Sequence, residues 1–211
     1  MAENIQALIW DFGGVLLRTE DQAPRRAWEQ KLNLQPGELH DLVFHGPASR
    51  RATLGKASTE EIWQTLGEQL GLEGEELKKL ETNFWAGDVL DRALIDATRA
   101  LKEYIKTALL SNAWPDLRPY LVDDLKVGDA FDRMVISAEV GTAKPAHQIY
   151  HILLDQLGIE PQDSLFIDDS SENIQVARDL GMHAILFQTR EQMLEELLGL
   201  LPAHLAAFFS E

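Results

Sequence analysis

Apolar positions along this chain fall into short unbroken runs and into longer stretches with helical spacing. The first short run, Ala7-Leu8-Ile9-Trp10, stops at Asp11 and is followed by Phe12, Gly13 and Gly14. A run of this length bounded by glycine predicts a buried central strand. Similar strands are expected at Thr107–Leu110, Arg133–Ile136, Ser164–Ile167 and His183–Phe187. Between them, helical patterns cover Asp91–Lys102, Leu117–Asp123, Ala146–Leu157, Ser171–Leu180 and Glu191–Leu201. Ile149, Ile152, Leu153 and Leu157 line one side of the third of these. Strands alternating with helices predict an α/β fold with a parallel sheet covered on both faces.

The stretch from Arg18 to Asp88 reads differently, as helices with no convincing strand. Helices are expected at Ala23–Leu32, Pro36–Phe44, Pro47–Leu54 and Glu75–Ala86, with another opening at Ser58. Ser58 and Glu61 have the spacing of a capping box. Ile62, Leu66 and Leu70 then recur four apart, and Gly71 or Gly74 ends that helix. This all-helical insertion of about 70 residues is large enough to carry a small core of its own. The apolar tail Pro202–Glu211, with Leu205, Phe208 and Phe209, is expected to dock on the parent fold rather than to form a dimer contact, leaving a monomer or a homodimer.

Composition narrows the function classes. Lys plus Arg total 19 against 35 for Asp plus Glu, a net charge of -16. So acidic a surface argues against nucleic acid and against an anionic membrane as partners. There are no cysteines, which excludes disulfides and thiolate chemistry and fits a reducing cytoplasm, the expected location. No run approaches the roughly 20 apolar residues of a membrane helix. Met1–Asn4 lack the basic and apolar regions of a signal peptide, so none is expected.

The chemistry-bearing residues gather where the strands stop. Asp11, Ser111 with Asn112, and Asp168 with Asp169 end three strands, and Lys144 lies beyond a fourth. In a parallel sheet all these ends share one edge, where open α/β folds build their sites. Lys144 precedes Pro145, so it sits in extended or turn backbone rather than within a helix. Converging carboxylates repel unless a cation holds them. An oxygen-only ligand set points to a hard ion, most simply Mg²⁺. Taken singly, each residue also has an ordinary reading: Asp11 as a turn or cap, Ser111 as a helix cap, Lys144 as a surface lysine.

The segments LIWDFGGVL, ALLSNAW, GTAKPAHQIY, LFIDDSSENI and ARDLGMHAILF, in that order, resemble the haloacid dehalogenase-like (HAD) hydrolase superfamily. The resemblance covers Ile5–Gly14 and about Asp91–Phe187 and is nearest to the sugar-phosphate phosphatase branch, with GKASTEEIW resembling a common cap segment. It implies a Rossmann-like core from residues 1–17 and 89–211 and an α-helical cap from residues 18–88. It implies Asp11 as the nucleophile toward a small phosphorylated metabolite, with Mg²⁺ held by Asp11, the Gly13 carbonyl, Asp168 and Asp169. Asp168 is expected as a ligand or as a partner behind the ligands. Ser111 and Asn112 would bind the phosphoryl oxygens, and Lys144 would neutralise charge in the transition state. Asn173 would occupy the last acid position of the fourth motif.

One position departs from the family pattern. The acid two residues after the nucleophile is here Gly13. General acid–base help is typically worth about 10²–10⁴-fold, so slow turnover, good leaving groups or a substitute proton carrier is expected. Thr19, Glu20 and His45 are candidates for that carrier. The loss argues against a phosphomutase. It leaves two alternatives open, a metal-free dehalogenase and a binding protein that has lost catalysis. In the cap, Arg50-Arg51 are candidates to meet substrate anions. His40 and His45 read as surface or core residues, and Trp28, Trp63 and Trp85 as cap core. Trp114 either lines the site or packs on the cap.

Overall fold

The computed structural model of the protein describes residues 5–209, so the reading of Met1–Asn4 and the last two residues of the tail lie outside it. Five parallel strands, β1 (Ala7–Trp10), β4 (Lys106–Ser111), β5 (Arg133–Ile136), β6 (Ser164–Asp168) and β7 (His183–Leu186), form a sheet in the order β5-β4-β1-β6-β7. The first strand is central because its residues are apolar on both sides. Leu8 and Trp10 enter one hydrophobic cluster, while Ala7 and Ile9 enter the other. Successive side chains of a strand point to opposite faces, so an unbroken apolar run suits only a strand covered twice.

Five helices lie between β2 (Leu17–Thr19) and β3 (Asp88–Leu90): α1 (Ala23–Lys31), α2 (Glu38–His45), α3 (Pro47–Ala52), α4 (Thr59–Leu70) and α5 (Gly74–Trp85). They enclose a third hydrophobic cluster around Trp28, Leu39, Trp63, Leu80 and Phe84. Trp85 is only partly buried against it. The Ser58 hydroxyl caps α4 by accepting from Glu61 N at 3.1 Å, whereas the Glu61 carboxylate turns to Arg51 instead of closing a capping box. The helix ends at Gly71, whose φ of 68° is the left-handed value that glycine tolerates best.

The reading of 18–88 as free of strands needs correction. β2 and β3 pair antiparallel, with Leu17 opposite Leu90 and Thr19 opposite Asp88. Three-residue strands are too short to show a period of two, and each finds its partner only across the whole helical insertion. Charged pairs flank this ribbon. Arg25 of α1 pairs with Asp88 at 2.8 Å on the cap side. On the core side, Asp91 accepts from Arg18 at 3.1 Å and from Arg190 at 3.0 Å.

After the ribbon the chain runs through α6 (Arg92–Leu101), α7 (Leu117–Pro119), α8 (Ser137–Val140), α9 (His147–Leu157), α10 (Ser171–Asp179), α11 (Arg190–Leu200) and α12 (Ala203–Ala206). α6, α11 and the tail cover one face of the sheet, and α9 and α10 cover the other. The helix expected from Leu117 gives way at Pro119 to a π-helical turn, Tyr120–Asp124, closed by Leu125 N on Tyr120 O at 2.9 Å. Proline has no N–H to donate, so the ordinary helical ladder cannot run through it.

The tail docks as expected from its composition. Leu205 and Phe209 are buried, and the Phe209 ring lies 6.2 Å from that of the fully buried Trp10, the residue before Asp11. Large-to-small changes at such sites forfeit burial and leave a cavity. Phe209→Ala should therefore lower unfolding free energy by about 3 kcal/mol, measured by urea denaturation. An unchanged midpoint would mean that the tail only rests on the surface.

Candidate active site

The strand register sets the site. Trp10 stands level with Leu109 of β4 and Ile167 of β6. One residue further, Asp11 therefore emerges beside Leu110 and Asp168, and its N–H still donates to Ile167 O at 2.8 Å. Lys144 arrives from the loop after α8, and its side chain is 1% exposed. Its ammonium lies 2.8 Å from Asp11 Oδ1 and 2.7 Å from Asp168 Oδ2, and it donates to Leu110 O at 2.9 Å. An ammonium has three donors, and here all three are used.

Asp168 is fully buried and richly bonded. Oδ1 accepts from Ser170 N at 2.8 Å and from Asn173 Nδ2 at 3.0 Å. Oδ2 takes Lys144 and a second approach from Asn173 at 3.1 Å. Asp11 Oδ1 accepts from its neighbour Phe12 N at 2.7 Å, and Oδ2 has no hydrogen-bond partner among the described residues. Asp169 is exposed at the rim. The φ of Gly14, +83°, is the left-handed value that favours glycine, and a Cβ there would displace the Asp169 carboxylate.

Asp11, Asp168 and Asp169 each bring a carboxylate oxygen within 4.8 Å of the others. Against these three acids stands one lysine. Burial pushes the Asp11 carboxyl up to about 7; Lys144 pulls it down, and Asp168 adds to the rise. Partial burial and the charge of Asp168 also raise Asp169. Burial opposes the charge on Lys144, but Asp11 and Asp168 together outweigh it and hold the ammonium above its ordinary value. The cluster is thus short of positive charge. Its free oxygens, on Asp11 and Asp169, suit a hard divalent cation.

The other expected residues divide into those at the cluster and those committed elsewhere. Ser111 is buried at the end of β4, and its hydroxyl has no partner among the described residues. The Asn112 amide is taken: Nδ2 donates to Lys144 O at 2.7 Å, and Oδ1 accepts from Lys144 N at 2.8 Å. Its backbone N–H makes no backbone hydrogen bond among the described residues. A Cβ built on Gly13 meets nothing within 4 Å. Asn173, expected at the last acid position of the fourth motif, donates to Asp168, and its backbone carbonyl accepts from the Tyr150 hydroxyl at 3.1 Å.

Thr19, Glu20 and His45 make no hydrogen bond or ion pair with the carboxylate–lysine cluster. Thr19 donates to Asp88 at 2.6 Å, Glu20 faces Arg18 at 3.5 Å, and the exposed His45 faces Asp41 at 3.3 Å. Arg51 is paired with Glu61, and Arg50 is exposed on α3. Sequence reading missed the clamp between Asn112 and Lys144, because it joins residues 32 apart. It also gave no role to Ser137, whose hydroxyl accepts from Ala113 N at 3.0 Å. The end of β5 was the available signal for Ser137.

The haloacid dehalogenase-like hydrolase family model matches residues 5–181. The chain is 29% identical over 217 residues to bifunctional epoxide hydrolase 2 of Sus scrofa, covering 92% of this chain but only 38% of that protein. It therefore spans well under half of that relative. It is 27% identical over 187 residues to D-ribitol-5-phosphate phosphatase of Bacteroides thetaiotaomicron, covering 84% of this chain and 89% of that one. The HAD family enzyme bt-2542 of Bacteroides thetaiotaomicron, solved with magnesium and inorganic phosphate, superimposes with a TM-score of 0.73 at 22% identity, over 88% of this chain and 96% of that one. L-2-haloacid dehalogenase of Xanthobacter autotrophicus superimposes with a TM-score of 0.60 at 23% identity, over 97% and 86%. At such identities the superpositions speak for the fold. The family match itself runs from the first strand through α10, and by it the chain belongs to the haloacid dehalogenase-like hydrolases.

Proposed function

We propose that the protein is a Mg²⁺-dependent phosphatase of small phosphate monoesters, with sugar phosphates as the leading class. The observation that carries this reading is the carboxylate trio at the ends of β1 and β6, with Lys144 the one cation paired to it among the described residues. Displacement of halide by a carboxylate needs no cation, and so would leave the acid trio without one. Transfer of a phosphoryl dianion onto Asp11 needs positive charge at that place. Asp11 and Asp169 would hold the ion with the Gly13 carbonyl, and Asp168, whose oxygens are taken, would stand behind them. The bound cation supplies charge to the phosphoryl oxygens as a Lewis acid.

In this reading the Asp11 carboxylate attacks phosphorus through one oxygen and would meet the cation through the other. An Asp11–phosphate bond forms as the ester P–O bond breaks, and the leaving oxygen departs with the electron pair. Water then attacks the phosphorus of the intermediate, freeing inorganic phosphate and restoring Asp11. Lys144 pulls Asp11 toward its ionised form against burial and offsets charge built up in transfer. The unpartnered Ser111 hydroxyl and the Asn112 N–H are donors for the phosphoryl oxygens. Asp168 serves chiefly to anchor Lys144, since both its oxygens are occupied. Nothing at Gly13 protonates the leaving oxygen, so esters of acidic alcohols are favoured. Residues 18–88 act as the cap over this site.

The test is phosphate release from a panel of sugar phosphates and from para-nitrophenyl phosphate, with Mg²⁺ and with chelator. Release should need the metal and should vanish in Asp11→Asn while circular dichroism stays native; near-normal turnover by that variant would sink the nucleophile assignment. Asp169→Asn should weaken Mg²⁺ binding in calorimetry, and unchanged affinity would place the ion elsewhere. Gly13→Asp has room for its Cβ and should speed sugar-phosphate hydrolysis by about 10²-fold, with little gain on the aryl ester. An equal gain on both would show that leaving-group protonation was not what the glycine lacked. Halide release from a 2-haloacid without metal would revive dehalogenation.

A further inference from the structure

Trp114 is a core residue in a cap environment. It follows Ser111, Asn112 and Ala113 in the loop leaving β4, yet its indole is buried in the cluster of the helical insertion. It stacks on Phe44 of α2 with ring centroids 5.5 Å apart and interplanar angle 29°, and meets Trp85 edge-on at 6.0 Å. Its Nε1–H donates to Ser49 Oγ of α3 at 3.0 Å, and Ser49 in turn donates to Phe44 O at 2.9 Å.

The three residues before it are pinned to the core. Asn112 holds both backbone groups of Lys144. Ala113 N donates to Ser137 Oγ at 3.0 Å and Ala113 O accepts from it at 3.2 Å. The circuit then returns to the cap. Gly55, just beyond α3, packs so closely on the Ala138 carbonyl that no Cβ fits between them. Residues Ser111–Trp114 thus have the cap at one end, the phosphoryl-binding hydroxyl at the other, and the lysine clamp between.

We propose that Trp114 is a positioning residue that couples seating of the cap to the placement of Lys144 and Ser111. With the cap seated, the indole is locked between Phe44 and Ser49, and the loop holds the Lys144 backbone in the register that brings its ammonium to Asp11 and Asp168. When the cap lifts, the loop loses its outer anchor and the clamp on Lys144 slackens. The proposal rests on the phosphatase reading for its kinetic consequence, but its structural content stands apart from it.

The experiment measures kcat on para-nitrophenyl phosphate with Mg²⁺ and, by NMR, amide exchange at Lys144 and Ala113. Variants are Trp114→Ala, Trp114→Phe, Ser49→Ala and the last two combined. Trp114→Ala should lower kcat at least tenfold and speed exchange at both amides. Trp114→Phe and Ser49→Ala remove the same hydrogen bond, worth about fivefold each, and their double variant should be no worse than the poorer single. Phenylalanine keeps the stack, so that variant remains informative if alanine prevents folding. Native exchange at Lys144 and Ala113 in the variants would overturn the coupling. So would a kcat loss without faster exchange, which would make Trp114 a substrate contact, or faster exchange confined to the cap. Absence of phosphate release from the unsubstituted protein would count against the phosphatase reading alone, leaving exchange to decide the coupling.

Discussion

One buried ammonium holds the site together. Lys144 is walled in by Asp11, Asp168 and the Leu110 carbonyl, and water has almost no access to it. Removing one partner of such a buried pair leaves an uncompensated charge and typically costs about 3–5 kcal/mol. The surrounding design follows from that. Asn173 and Ser170 fill the remaining lone pairs of Asp168, and Asn112 fixes the lysine backbone. Tyr150 steadies Asn173 from behind. Asn173 thereby replaces an acid with an amide that donates to a carboxylate, which relieves the cluster of one more negative charge.

The excess of acid is therefore confined to Asp11 and Asp169, the two carboxylates with oxygens still free. Burial alone drives Asp11 toward its neutral form, which would make a poor nucleophile. A divalent cation held at the same place would reverse that tendency. The sheet edge supplies the meeting place: the C-terminal ends of adjacent parallel strands bring residues far apart in sequence into one small volume.

The cap is tied down at both sides of this edge. On one side the short ribbon is bracketed by ion pairs, Arg25 with Asp88 above it and Arg18 with Asp91 and Arg190 below. Arg25 also donates to Phe84 O at 2.7 Å, joining two cap helices to the ribbon. On the other side Trp114 and Gly55 carry the contact. Any displacement of the helical insertion would break one of these attachments, and the aromatic one is built on the loop that follows Ser111.

The strand and helix pattern, the helical insertion and the polar strand ends were all legible in the amino-acid sequence. Each depends on local composition: apolar runs, helical spacing, and glycine after Asp11. The four motifs also brought Asp11, Ser111, Lys144 and the Asp168-Asp169 pair into view, because parallel strands place their ends together whatever their separation. Only the tertiary structure decided which partner each polar group takes. The β2–β3 ribbon, the Asn112 clamp, the commitment of Thr19 and Glu20 away from the site, and the burial of Trp114 in the cap all join residues remote in sequence. Their energies depend on distance, angle and exclusion of water, none of which the order of residues records.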